Sequence, residues 1–225
     1  MALHTLNDLQ DRLDQSLGWR RIELLALRSQ IESSARKSAE SPLARALARA
    51  GIALLYAHWE GYVKDSCQAY VDFVAKRRLK FNELNDGLLK ISLEHLHKRT
   101  SSGDQAAIDA LLEAIREPDR SRARIPKDSI VDTKSNLRAS VLTQILECIG
   151  FDAGRFETKA NLIDHRLCDG RNGIAHGRDL FPRATDFVEL HAEVVSMLED
   201  VRSMILSAAK MSEYRRSVPA TQTPQ

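Results

Sequence analysis

The chain has 225 residues, of which 43% are hydrophobic and 28% charged, with a net charge of +2. This length can bury a sizeable core, and the composition is that of a globular domain rather than a disordered chain. So small a net charge does not announce nucleic-acid binding, which then has to rest on local patches. The three cysteines, Cys67, Cys148 and Cys168, are odd in number and form no CxxC, so no zinc or disulfide framework is signalled. They read as free thiols of a protein in the reducing cytoplasm. The N-terminus is charged and lacks the apolar stretch of a signal peptide, and no run approaches the roughly 18 apolar residues of a membrane span.

Helical spacing fills nearly every segment, so the predicted class is all-α. Leu6, Leu9, Leu13 and Leu17 step through a short first helix. A second is expected over 19–39, with Ile22 and Leu25 on its apolar face and Leu24, Leu27 and Ile31 widening it. Ser41-Pro42 is a helix start, because serine caps and proline is tolerated at the first position. The helix it opens is expected to run to about Leu79. It is apolar on more than one face, as a central helix is. Gly51 and Gly61 inside it each cost about 1 kcal/mol against alanine, so a close helix crossing is expected there.

Residues 81–127 carry Asn-Asp-Gly, Ser-Ser-Gly and two prolines. They read as an insertion or lobe with two short helices, about 88–98 and 103–116. The tract from Arg116 to Lys127 is a basic loop with Arg120, Arg122 and Arg124 within it. Acids dilute it, so a solvated connector competes with phosphate contact along RNA. Ser135 to Asp152 reads as a helix ended by Gly150, and about 160–176 as another ended by a left-handed Gly177. After Phe-Pro-Arg, Thr185 is a candidate cap. Phe187, Leu190, Val194, Met197, Val201, Met204 and Ala208 then form a packing seam. Residues 1–211 read as one domain and 212–225 as a flexible tail.

The stretch Gly170-Arg-Asn-Gly-Ile-Ala-His-Gly177 carries the candidate chemistry. Asn172 and His176 are four apart and share a helix face. Arg171 and His176 are about 140° apart around the axis and do not stack. Histidine moves protons near neutral pH, and arginine offers a permanent fork to phosphate oxygens. Together, without carboxylates or metal, they suit RNA cleavage by the 2′-hydroxyl. The plain alternative is a helix end, with His176 favoured by the negative dipole and Arg171 solvated. His58 and Glu60 read as polar groups of a buried helix. His95 and His97 are poor metal ligands, and Asp164 and His165 complete no triad with the motif. No phosphate-cradling glycine loop argues for an NTP hydrolase.

Arg-Asn-x-x-x-His resembles the R-x4-6-H signature of the HEPN superfamily. Leu54–Asp65 (LLYAHWEGYVKD), Ser135–Phe151 (SNLRASVLTQILECIGF) and Leu162–Gly177 (LIDHRLCDGRNGIAHG) resemble the branch known as RiboL-PSP-HEPN, from about residue 20 to 210. The resemblance implies an all-α bundle with a long central helix, usually dimeric, with the motif near the dimer cleft. It implies a metal-independent endoribonuclease of a toxin–antitoxin or antiphage system, needing no cofactor. Arg171 and His176 would be the catalytic pair and Asn172 their polar companion. Arg178, Arg120, Arg122, Arg124 and Lys127 are the expected RNA contacts. The alternative is a catalytically silent HEPN module that binds a nuclease, nucleotidyltransferase or antitoxin partner.

Overall fold

A computed structural model describes residues 3–126 and 130–217. It is all-α, with no strand among the described residues beyond two isolated bridges, Lys80 with Arg122 and Leu84 with Arg215. The helices are α1 (Leu6–Lys37), α2 (Pro42–Ala75), α3 (Asp86–Ser101), α4 (Gln105–Arg116), α5 (Ala139–Cys148), α6 (Gly170–Ala175) and α7 (Ala184–Met211). A π-helical stretch, Leu162–Asp169, runs straight into α6. No described helix is long and apolar enough to cross a membrane.

Three long helices make the frame: α2 packs against both α1 and α7, and α1 against α7. The α7 seam explains the geometry. Phe187, Leu190, Val194, Met197, Val201 and Ala208 are all buried, as their spacing predicts. The close crossing expected at Gly51 is real. A Cβ there would stand 2.6 Å from the Phe187 ring and 2.8 Å from the Ile31 side chain. Gly61 makes room for a different group, the guanidinium of Arg20, whose Nη2 lies 3.2 Å from a Cβ placed there.

The two N-terminal helices expected from the sequence are one helix. α1 continues through Gly18, opened by a reciprocal capping box between Thr5 and Asp8. Its buried face also differs from the expected one. Ile22 and Leu25 are 72% and 54% exposed, whereas Leu24, Ile31 and Arg20 are buried. Arg20 is tolerated inside because its Nη1 donates to the Ser16 carbonyl and hydroxyl and its Nη2 to Asp65.

α2 stops at Ala75, short of Leu79, because Arg78 adopts a left-handed φ of 56°. The lobe is an α3–α4 pair, each helix capped by the side chain before it, Asn85 and Asp104. α7 starts at a box formed by Arg183 and Asp186 rather than at Thr185. A loose tail from Ser212 does not hold for residues 212–217. Tyr214 is buried, and Arg215 and Arg216 bond to Glu83. Residues 218–225 lie outside the described residues.

Candidate functional site

The helix from 160 to 175 carries the motif, and its π-helical half decides what surrounds it. In an α-helix, Asp164 and Asp169 would point about 140° apart. In a π-helix, residues five apart stand close to one turn above another. Both acids therefore reach the start of α5. Asp164 Oδ1 accepts the Ala139 N–H at 2.7 Å, and Asp169 Oδ1 accepts from Arg138 Nη2. The expected helix over 135–152 consequently begins only at Ala139. Residues 135–138 run as an irregular strap beside the motif.

That strap is held almost residue by residue. Arg171 Nη2 donates to the Ser135 carbonyl at 2.8 Å, and the Leu137 N–H donates to the Tyr56 hydroxyl at 2.7 Å. The buried Cys168 thiol donates to the Leu137 carbonyl at 3.3 Å. Burial pushes that thiol up to about 12, so it stays protonated as a donor. Lys134 and Ser135 both adopt left-handed φ, 51° and 54°. Such backbone persists only where the surroundings over-determine it. Here the Arg171 fork and the Tyr56 hydroxyl do so.

Arg171 itself is half-buried. Its guanidinium carbon lies 4.1 Å from the centroid of the Tyr56 ring, within cation–π range. Its Nε is buried without a hydrogen-bond partner. Burial pushes the Tyr56 hydroxyl up to about 12, which keeps it neutral beside the cation. Asn172 is half-buried, and its carbonyl accepts the His176 N–H at 3.0 Å. His176 is exposed at the C-cap, and Gly177 follows with φ of 68°, the left-handed cap that its position predicts. The pair is therefore splayed: Arg171 turns in to α2 and His176 faces out.

Two glycines of the motif serve this chain's own packing. A Cβ on Gly170 would meet Ile52 at 3.2 Å, and one on Gly173 would meet Leu180 at 2.3 Å. Only Gly177 has open space. Beyond it, Arg49 Nη1 donates to the Arg178 carbonyl at 2.9 Å and also to that of Leu180. Leu180 and Phe181 remain 41% and 52% exposed. They line a cleft of about 270 Å³ with Ile52, Gly170 and Ile174. Arg178 is exposed next to His176.

The basic loop is elsewhere. Arg122 and Arg124 line a cleft of about 610 Å³ between the α3–α4 pair and the end of α2 at Ala75. From Tyr56 to Ala75 along α2 is about 28 Å at 1.5 Å per residue. Arg120 is paired with Glu117 at 3.6 Å on the surface. Lys127 lies outside the described residues. Of the expected RNA contacts, then, only Arg178 adjoins Arg171, Asn172 and His176 within one chain. Arg138, Asp169, His165 and Tyr56 adjoin the motif and were not expected.

His58, on the central helix, has structural surroundings. His58 is buried with Nε2 2.9 Å from a Glu23 carboxylate oxygen, and its ring lies edge-on to Trp19. Burial pulls its pKa below the usual value, opposed by Glu23. Among the described residues, no three His, Cys, Asp or Glu side chains converge as metal ligands would.

The sequence model of one family, described as MAE_28990-like HEPN, matches residues 9–214. The chain belongs to the HEPN superfamily. No curated protein and no solved structure matches it. The HEPN match spans α1 to the end of α7 and so covers the strap and the Arg171–His176 motif alike. This HEPN chain thus has its R-x4-H motif at a helix end, with the arginine seated on a tyrosine of the central helix.

Proposed function

We infer that this chain is a metal-independent endoribonuclease. His176 moves the proton of a ribose 2′-hydroxyl, Asn172 orients the reacting groups, and Arg171 holds the phosphate and the charge that builds on it. The 2′-oxygen bonds to phosphorus as the bond to the 5′-oxygen breaks. The products are a 2′,3′-cyclic phosphate and a 5′-hydroxyl, with a proton delivered to the leaving oxygen. The observation that carries this reading is the seat of Arg171. Tyr56 and Ser135 fix a permanent cation on the same short helix as an exposed imidazole, and such preorganised charge is what phosphoryl transition states require. The nearby acids, Asp164 and Asp169, hold the Ala139 N–H and Arg138, which gives each a structural partner.

A single chain splays the pair, so the working site is composite, formed by two copies meeting around His176 and Gly177. The exposed Leu180 and Phe181 beside them suit such contact. Gly170 and Gly173 do not contribute to that approach, since Ile52 and Leu180 already occupy the space beside them. The three stretches resembling the RiboL-PSP branch favour a toxin or antiphage effector of the cytoplasm, held by an antitoxin or defence partner. The second reading is a silent HEPN module serving such a partner. One observation favours it: the Arg171 fork already donates to a backbone carbonyl. RNA incubated with the protein in excess EDTA separates the two. Fragments ending in 2′,3′-cyclic phosphate support the nuclease, and cleavage only with added Mg²⁺ contradicts it.

A further inference from the structure

Asp169 does more than anchor α5. Its second oxygen, Oδ2, lies 3.0 Å from His165 Nδ1. An ionised carboxylate only accepts, so Nδ1 is the protonated nitrogen and Nε2 is the acceptor of the neutral ring. His165 is 67% exposed at its side chain and the Arg138 side chain 36%. Arg138 thus shares one carboxylate with an imidazole while keeping further N–H groups exposed. Hydrogen bonds from Arg138 first and then His165 lower the Asp169 pKa from its ordinary value. Asp169 also holds both side chains in place.

The register links this cluster to the motif. Residues 165, 169, 172 and 176 step by four, three and four along one continuous helix. The contact between His165 and Asp169 shows that the first pair shares a face, and α-helical spacing places Asn172 and His176 beyond them. From His165 to His176 is about 15 Å along the axis, slightly less than eleven α-helical rises because 165–169 is π-wound. That is too far for one phosphate and suits a strand lying along the face.

Resting on the ribonuclease reading, we propose that Arg138 and His165 grip a nucleotide flanking the cut. Arg138 binds its phosphate, and His165 Nε2 accepts its 2′-hydroxyl. Asp169 is the positioning residue for both. This subsite adds a reason for RNA over DNA, since only the ribose offers that donor.

The test measures binding of one single-stranded sequence, as RNA and as DNA, in EDTA by full-length His176→Ala protein. Adding Arg138→Ala should weaken both by a similar factor, about three- to tenfold, and lower the salt slope by about 1. Adding His165→Ala should weaken RNA by about three- to tenfold and leave DNA unchanged, as loss of one hydrogen bond does. His165 is exposed and its removal leaves the Arg138 salt bridge intact, so this variant keeps the test valid if Arg138→Ala misfolds. Equal weakening of RNA and DNA by His165→Ala overturns the proposal, as does no change from either substitution. RNA bound in this way by a protein that never cleaves it upholds the subsite and overturns the nuclease reading alone. RNA not bound at all overturns both.

Discussion

The guanidinium of Arg171 rests on the Tyr56 ring at 4.1 Å, and the Tyr56 hydroxyl in turn accepts the Leu137 N–H. One side chain of the central helix thus orients the motif arginine and pins the strap that the same arginine bonds.

Separating these two roles gives the first prediction. Tyr56→Phe keeps the ring under Arg171 and leaves a buried N–H without an acceptor. It should cost about 1–3 kcal/mol in urea unfolding with cleavage largely retained. Tyr56→Leu loses the ring as well, and should also lower cleavage measured well below its own unfolding midpoint. Equal activity of the two variants would show that the ring does not position Arg171.

Two helix glycines should respond with opposite sign. Gly51→Ala drives a methyl into Phe187 and Ile31, and overpacking of that kind costs about 1–3 kcal/mol. Gly18→Ala meets nothing within 4 Å in the middle of α1, and should gain about 0.5–1 kcal/mol from helix propensity. Thermal melts of the two variants read the contrast directly.

The frame of long helices was legible because its signals are local. A serine–proline start, a strict seam on α7 and a glycine at a crossing each state their reason in a few residues. α1 was misread because it carries two apolar stripes, and only tertiary contacts choose between them. Ser16 and Asp65 satisfy Arg20 inside, and so leave Ile22 and Leu25 outside. At the site, Arg171, Asn172 and His176 were visible as chemistry and their splay followed from spacing. Their neighbours were not visible. Asp164 and Asp169 converge only because the helix is π-wound, and nothing in the sequence distinguishes that winding from an α-helix. Arg122 and Arg124 share only their charge with the motif, and about half the length of α2 separates them from it.

Stability should fall on mild acidification. Burial draws His58 and His191 below the usual imidazole value of 6.5. Around His58 the charges are Glu23 and Arg20, and around His191 they are Arg28 and Glu32. With a lowered folded pKa, the unfolded chain binds more protons below about pH 6.5, so stability is full above that value and declines beneath it. Asp14, lowered chiefly by its bond to Arg202, adds a second loss below about pH 4. Both His191 nitrogens are buried without partners. His191→Leu should therefore flatten the decline between pH 6.5 and 5 in melting experiments. An unchanged slope would assign the decline to other groups.

A composite site predicts complementation. Arg171→Ala and His176→Ala proteins, each inactive alone, should recover some cleavage when mixed at micromolar concentration, because a mixed dimer holds one intact arginine and one intact histidine. Light scattering should give the dimer mass. A monomer that cuts at full rate would show that one chain closes the pair by itself.

The most direct measurement is RNA cleavage in EDTA by wild-type, Arg171→Ala and His176→Ala proteins matched for helical circular dichroism. Wild type should leave 2′,3′-cyclic phosphate ends, and each variant should lose about 10²- to 10⁴-fold in rate. Wild-type protein that leaves RNA intact, or folded variants that cut as fast as wild type, would contradict the assignment of Arg171 and His176 as the catalytic pair.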